Sequence, residues 1–182
     1  MVLQSGSAGK EKVIYQYRLL KRLRRSPIVT LFYSILLPAW LIIAYLKHGD
    51  ADVILAAITA VIGCHLLYWA ATTLLLGREP NSLQSSQRYG WTARRWPWIG
   101  YLPTAGVPFR QFRSIQLHLL MVGLFAAGSL SVWFPPWIAY TTVFVHLWMM
   151  LPRLGILIRL GRTATGGSIL SISASEIDLH SP

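Results

Sequence analysis

Polar and apolar positions along this chain separate into long blocks. Four apolar runs stand out: Pro27–Leu46, Val53–Leu76, Ile115–Phe134, and Trp137–Leu151 with its extension through PRLGILIRL to Leu160. A hydrocarbon core about 30 Å thick takes roughly 20 helical residues at 1.5 Å each. Three runs meet that length outright. The fourth meets it if Arg153 snorkels its guanidinium toward the headgroups. The pattern predicts an all-α fold, a four-span transmembrane helical bundle with an interfacial cytoplasmic loop. The spans are 27–46, 53–76, 115–134 and 137–160, and the loop is 77–114. The first run has a basic flank, as a secretory signal does. It exceeds the usual h-region of about 7–15 residues and no small-x-small cleavage site follows, so it reads as a retained anchor.

Local signals agree with these limits. Ser26-Pro27 offers an N-cap followed by proline at the first helical position, where its missing N–H costs nothing. Gly49 and Gly77 follow the first two spans as helix-ending glycines do. Pro135-Pro136 separates spans three and four into an antiparallel pair. Pro38, inside span one, should loosen the bond to the Ser34 carbonyl.

Composition supports the membrane reading and then orients it. The 182 residues are 54% hydrophobic and 13% charged, against about 25% charged in soluble domains. Seventeen Lys and Arg against six acids give a formal charge of +11. In a soluble protein such an excess would suggest nucleic acid, but its placement argues otherwise. Residues 1–26 hold seven Lys/Arg and segment 77–114 holds six, with one acid each; the 47–52 connection holds one Lys and two Asp. Cationic loops stay cytoplasmic. Both termini and the central loop are therefore expected on the cytoplasmic side of the cell membrane (plasma or inner).

The loop is too long for a passive turn. It combines Arg94, Arg95, Arg110 and Arg113 with Trp91, Trp96, Trp98 and Tyr101. Tryptophan and tyrosine favour the membrane interface, and anionic headgroups attract arginine. Short pieces along the cytoplasmic surface are expected, with room to dip between spans. The N-terminal VIYQYRLLKRLRRS reads as a basic amphipathic helix that presents Lys21, Arg22, Arg24 and Arg25 beside the membrane. Residues 161–182 read as a disordered cytoplasmic tail, because the alternation around Ile172 and Ile177 supports one strand at most.

Spans two, three and four carry His65, His118 and His146. Intramembrane ionisable groups are functional candidates. On helical rise, His65 and His146 lie within about one turn of each other in depth. That spacing would suit the axial ligands of a b-type haem or a solute path, while a hydrogen-bonded structural role needs nothing further. No cofactor is expected beyond that haem alternative, and no metal site: the single cysteine and the Cys/His spacing fit none. Small residues at four-residue spacing, Ala56 and Ala60 in span two and Gly123 and Ala127 in span three, offer a helix seam or a homo-oligomer contact. No hydrolase, P-loop or zincin motif occurs. The sequence therefore points to a non-enzymatic polytopic protein. It would dock membrane lipid, or another membrane or cytoplasmic protein, and not nucleic acid. The alternatives are an oligomeric small-solute transporter or channel using His65 and His146, and a redox protein.

Overall fold

A computed structural model describes residues 18–24, 26–49, 52–77, 87–92, 97–173 and 176–181. In chain order the elements are β1 (Arg18–Arg24), α1 (Pro27–His48), α2 (Asp52–Gly77), β2 (Tyr89–Thr92), β3 (Gly100–Pro103) and β4 (Val107–Pro108). They continue with α3 (Phe109–Trp133), α4 (Pro136–Gly161), β5 (Ile169–Ile172) and β6 (Glu176–Ser181). All four helices are long and apolar enough to cross a membrane.

The turns fall where local chemistry puts them. Gly49 closes α1 in the left-handed conformation, φ 74°, and its N–H donates to the Tyr45 carbonyl at 2.7 Å. Pro27 and Pro136 occupy first helical positions, and Ser26 is the N-cap of α1 although its side chain makes no capping bond. α1 runs on through Pro38. α3 begins six residues before the expected start: Phe109, Phe112, Ile115 and Leu119 recur at helical spacing and are all buried. Arg110 and Arg113 therefore ride on the first turns of a helix.

The fold is not all-α. A four-stranded antiparallel sheet runs in the order β1-β6-β5-β4, and β2 pairs with β3 in a separate hairpin. The N-terminal amphipathic helix gives way, over Arg18–Arg24, to strand β1; residues before Arg18 and Arg25 itself lie outside the described set. The tail expected to be disordered forms β5 and β6. Leu170, Ile172, Ile177 and Leu179 point inward and are almost wholly buried, while Ser171, Glu176, Asp178 and His180 alternate with them. β5 and β6 pair locally, whereas β1 against β6 and β4 against β5 satisfy their backbones through partners far away in sequence.

Because the helices alternate in direction, the start of α1, the end of α2, the start of α3 and the end of α4 share one end. Both sheets attach there. α4 packs on α3, α2 and α1, and its contact with α3 is the most extensive between any two helices.

Candidate functional site

Two arrangements carry chemistry: a polar cluster among α2, α3 and α4, and the charged end that bears the sheets.

The cluster begins with His146 on α4, fully buried. Its Nε2 lies 3.1 Å from the Leu120 carbonyl of α3, and its Nδ1 lies 2.7 Å from Tyr68 Oη of α2. A carbonyl can only accept, so Nε2 carries the proton and Nδ1 accepts from the tyrosine. One imidazole thus ties three helices together. Gly123 makes this possible: a Cβ there would overlap the His146 ring. Close approach at Gly123 is therefore to α4, whereas the expected seam set it against the small residues of α2. Ala60 and Ala127 are buried, Ala57 takes the inward position on α2, and Ala56 is half-buried.

Arg153 lies two turns further along α4. Its side chain does not snorkel; the residue is 1% exposed. One Nη donates to Gln116 Oε1 of α3 at 3.4 Å, and the other to the backbone carbonyl of Ile99 at 3.1 Å. The guanidinium stands 4.9 Å from the centroid of the Tyr68 ring, a cation–π distance. No carboxylate pairs with Arg153 among the described residues.

The Ile99 carbonyl belongs to the β2–β3 hairpin, which inserts beside α2 rather than lying flat. Trp91 stacks on His65 at 5.9 Å, and His65 is twelve residues from the end of α2 at Gly77, roughly 18 Å along the axis. Gly100, with φ 102°, allows the turn, and a side chain there would press on the Arg153 guanidinium and rest in contact with the His65 ring. Irregular backbone among apolar helices must find its hydrogen bonds within the protein. Here Arg153 serves Ile99, and Thr92 Oγ1 donates to the Trp98 and Gly100 carbonyls at 3.3 and 3.1 Å. The Tyr89 hydroxyl is buried without a hydrogen-bond partner among the described residues. Burial, with a smaller contribution from Tyr101, holds the Tyr89 pKa above the ordinary tyrosine value.

His65 does not face His146: its Nδ1 bonds the Val61 carbonyl at 2.8 Å and its ring meets Trp91. With both nitrogens of His146 engaged, the fold gives that imidazole a tying role. His118 bonds the Ser114 carbonyl at 2.7 Å on an exposed face. Among the described residues no group of three His, Cys, Asp or Glu could hold a metal.

Of the residues expected to bind lipid or a partner, Arg110 and Arg113 are exposed on α3, and Trp98 is buried instead. Arg94, Arg95, Trp96 and Arg25 lie outside the described residues. On β1, Arg22 reaches Asp178 at 2.8 and 3.2 Å and Glu176 at 3.3 Å. The bond to Asp178, then the charges of Asp178 and Glu176, hold the Arg22 pKa above its ordinary value. Lys21 Nζ donates at 2.8 Å to the Arg159 carbonyl near the end of α4, where the helix dipole favours a cation.

The sheet end therefore displays Arg18, Lys21, Arg22, Arg24, Arg88, Arg110, Arg113, Arg159 and Arg162 against Glu176 and Asp178. The opposite end carries Lys47 and Asp52 among its described residues. Sequence reasoning placed Arg153 at the headgroups and missed its burial against Gln116, Ile99 and Tyr68, although an arginine with no acid in its apolar run was the available signal. No family model, curated protein or solved structure matches the chain.

Proposed function

We propose that this chain is a non-enzymatic, four-span membrane protein whose sheet-bearing end faces the cytoplasm and binds anionic lipid. The observation that carries the reading is the asymmetry between the ends: exposed cations crowd one, and the other is close to neutral. Each cation near a negatively charged leaflet adds roughly 1 kcal/mol, screened within a Debye length. β1 and the ends of α3 and α4 hold most of these cations at fixed positions, which an unstructured basic tail would not do. His146, bonded within the fold through both ring nitrogens, offers less support to a transport or haem role.

The test replaces Arg94, Arg95, Arg110 and Arg113 with glutamine in the full chain. Association with lipid is then compared in nanodiscs containing phosphatidylglycerol or phosphatidylcholine. Wild-type protein should prefer the anionic bilayer lipid and the variant should lose most of that preference while still inserting. Equal preference in both proteins would overturn the reading.

A further inference from the structure

A cavity of about 230 Å³ opens between the sheet-end halves of α1 and α4. Its walls are apolar, with Val29 and Leu36 from α1, Gly155 and Ile156 from α4, and Trp98 from the hairpin. Two exposed arginines, Arg24 and Arg159, also line it, beside Ser26 at the N-cap of α1. From Ser26 to Leu36 the cavity follows ten residues of helix, roughly 15 Å, which is about one leaflet's share of a 30 Å hydrocarbon core. Gly155 faces open space on this wall: a Cβ there would meet no atom within 4 Å.

We propose that this groove holds one acyl chain of an anionic phospholipid, with the phosphate seated between Arg24 and Arg159. The inference rests on the anionic-lipid reading above and narrows it from a charged surface to one bound molecule. Charge complementarity selects the occupant. The Arg24 side chain is 79% exposed and shares Glu176 at 3.4 Å, so much of its guanidinium still faces outward. Arg159 has no carboxylate partner among the described residues, and Lys21 brings a third cation to its carbonyl. The first turn of α1 holds no acid, and Ser26 leaves it without a side-chain cap. The apolar walls suit a chain arriving from the side, because α1 exposes Ile28, Phe32 and Ile35 on the same half of the helix. Inside lipid, water expulsion gives those walls no advantage over neighbouring chains. Preference for the bound molecule therefore comes from close packing plus the headgroup contacts.

Native mass spectrometry of the full chain, released from nanodiscs of mixed phosphatidylglycerol and phosphatidylcholine, tests the proposal. Wild-type protein should retain one phosphatidylglycerol per chain. Gly155→Leu fills open space on a helix, so it should fold normally, checked by thermal exposure of Cys64 to a thiol dye. It should lose the retained lipid while keeping the wild-type preference for anionic nanodiscs. Arg24→Gln with Arg159→Gln should lower the ratio of retained anionic to zwitterionic lipid on the order of tenfold. Undiminished retention by Gly155→Leu would overturn the groove as the seat, as would a retained second copy of the chain. Equal retention of the two lipids by wild-type protein would overturn the headgroup assignment. Loss of anionic preference in the Arg94/Arg95/Arg110/Arg113 variant with retention in the groove unchanged would leave the surface reading intact and separate the two.

Discussion

α1 and α4 are comparable in length and both are apolar enough to span a bilayer, yet the fold uses them differently. In the most apolar window of α4, 44% of residues are buried inside the protein; in that of α1 the share is 11%. α4 turns His146, Trp148 and Arg153 inward and touches each of the other three helices. α1 exposes Ile28, Leu31, Ile35, Ile42 and Leu46, and its principal tie to α4 is one face. There the Trp148 indole N–H donates to the Tyr33 backbone carbonyl at 2.9 Å, and the two rings stack at 4.6 Å. Polar side chains inside lipid have few places to go, so the helix that carries them is drawn to the centre. A uniformly apolar helix can remain at the periphery. The groove between the two helices is what this unequal packing leaves open.

The inward packing of α4 is most exposed to change at Gly123. Gly123→Leu drives a side chain into the His146 ring and should cost about 3 kcal/mol or more, with loss of folded protein. Gly128→Leu, on the same helix with open space around it, should be tolerated. Thermal unfolding in detergent, read by a dye reacting with the buried Cys64, compares the two; equal behaviour would deny the close approach of α3 to α4. Next comes Arg153→Met, which orphans the Ile99 carbonyl and should cost about 1–3 kcal/mol. Its distinctive sign is faster amide exchange across Gly100–Leu102, because the hairpin loses its anchor. Trp148→Phe retains a ring for Tyr33 but no N–H donor, and about 1 kcal/mol of loss is expected. That loss should appear as a lower unfolding temperature.

Tyr89 gives a pH dependence. Its pKa in the fold is raised above the ordinary tyrosine value of about 10, so its contribution is fully present below pH 10. It is lost as pH climbs further, because the unfolded chain ionises first. Unfolding temperature should therefore fall above about pH 10, and less steeply in Tyr89→Phe; identical alkaline profiles would exclude this cause. The smallest effect belongs to the exposed face of α1. Ile42→Ala should leave thermal stability within about 0.5 kcal/mol of wild type, since its side chain contacts lipid in either state. A large loss there would mean that α1 is covered by something other than lipid.

The spans and reversals were legible because bilayer thickness fixes helix length, and because Gly49 and Pro135-Pro136 act within a few residues of themselves. The sheet was not. β1 and β6 are separated by more than 150 residues, and neither is long or strongly patterned enough to announce a strand without its partner. The basic run at Arg18–Arg24 fits an amphipathic helix equally well until Asp178 and Glu176 are placed opposite Arg22. Burial of Arg153 escaped for a related reason. Snorkelling is the cheaper outcome for an isolated helix, and the acceptors that reverse it sit on α3 and on a hairpin turn. Gly123 was legible as a close-approach glycine, but the helix it admits was not, since the ring that needs the space is on α4.

The proposed orientation puts the two ends of the helices on opposite sides of a bilayer, the cationic sheet end inside. Single cysteines introduced at Arg113 and at Lys47, in a Cys64→Ala background, can be probed in intact cells with a membrane-impermeant maleimide. Position 47 should label from outside and position 113 only after the membrane is permeabilised. Labelling of both positions from the same side, or of position 113 alone from outside, would contradict it.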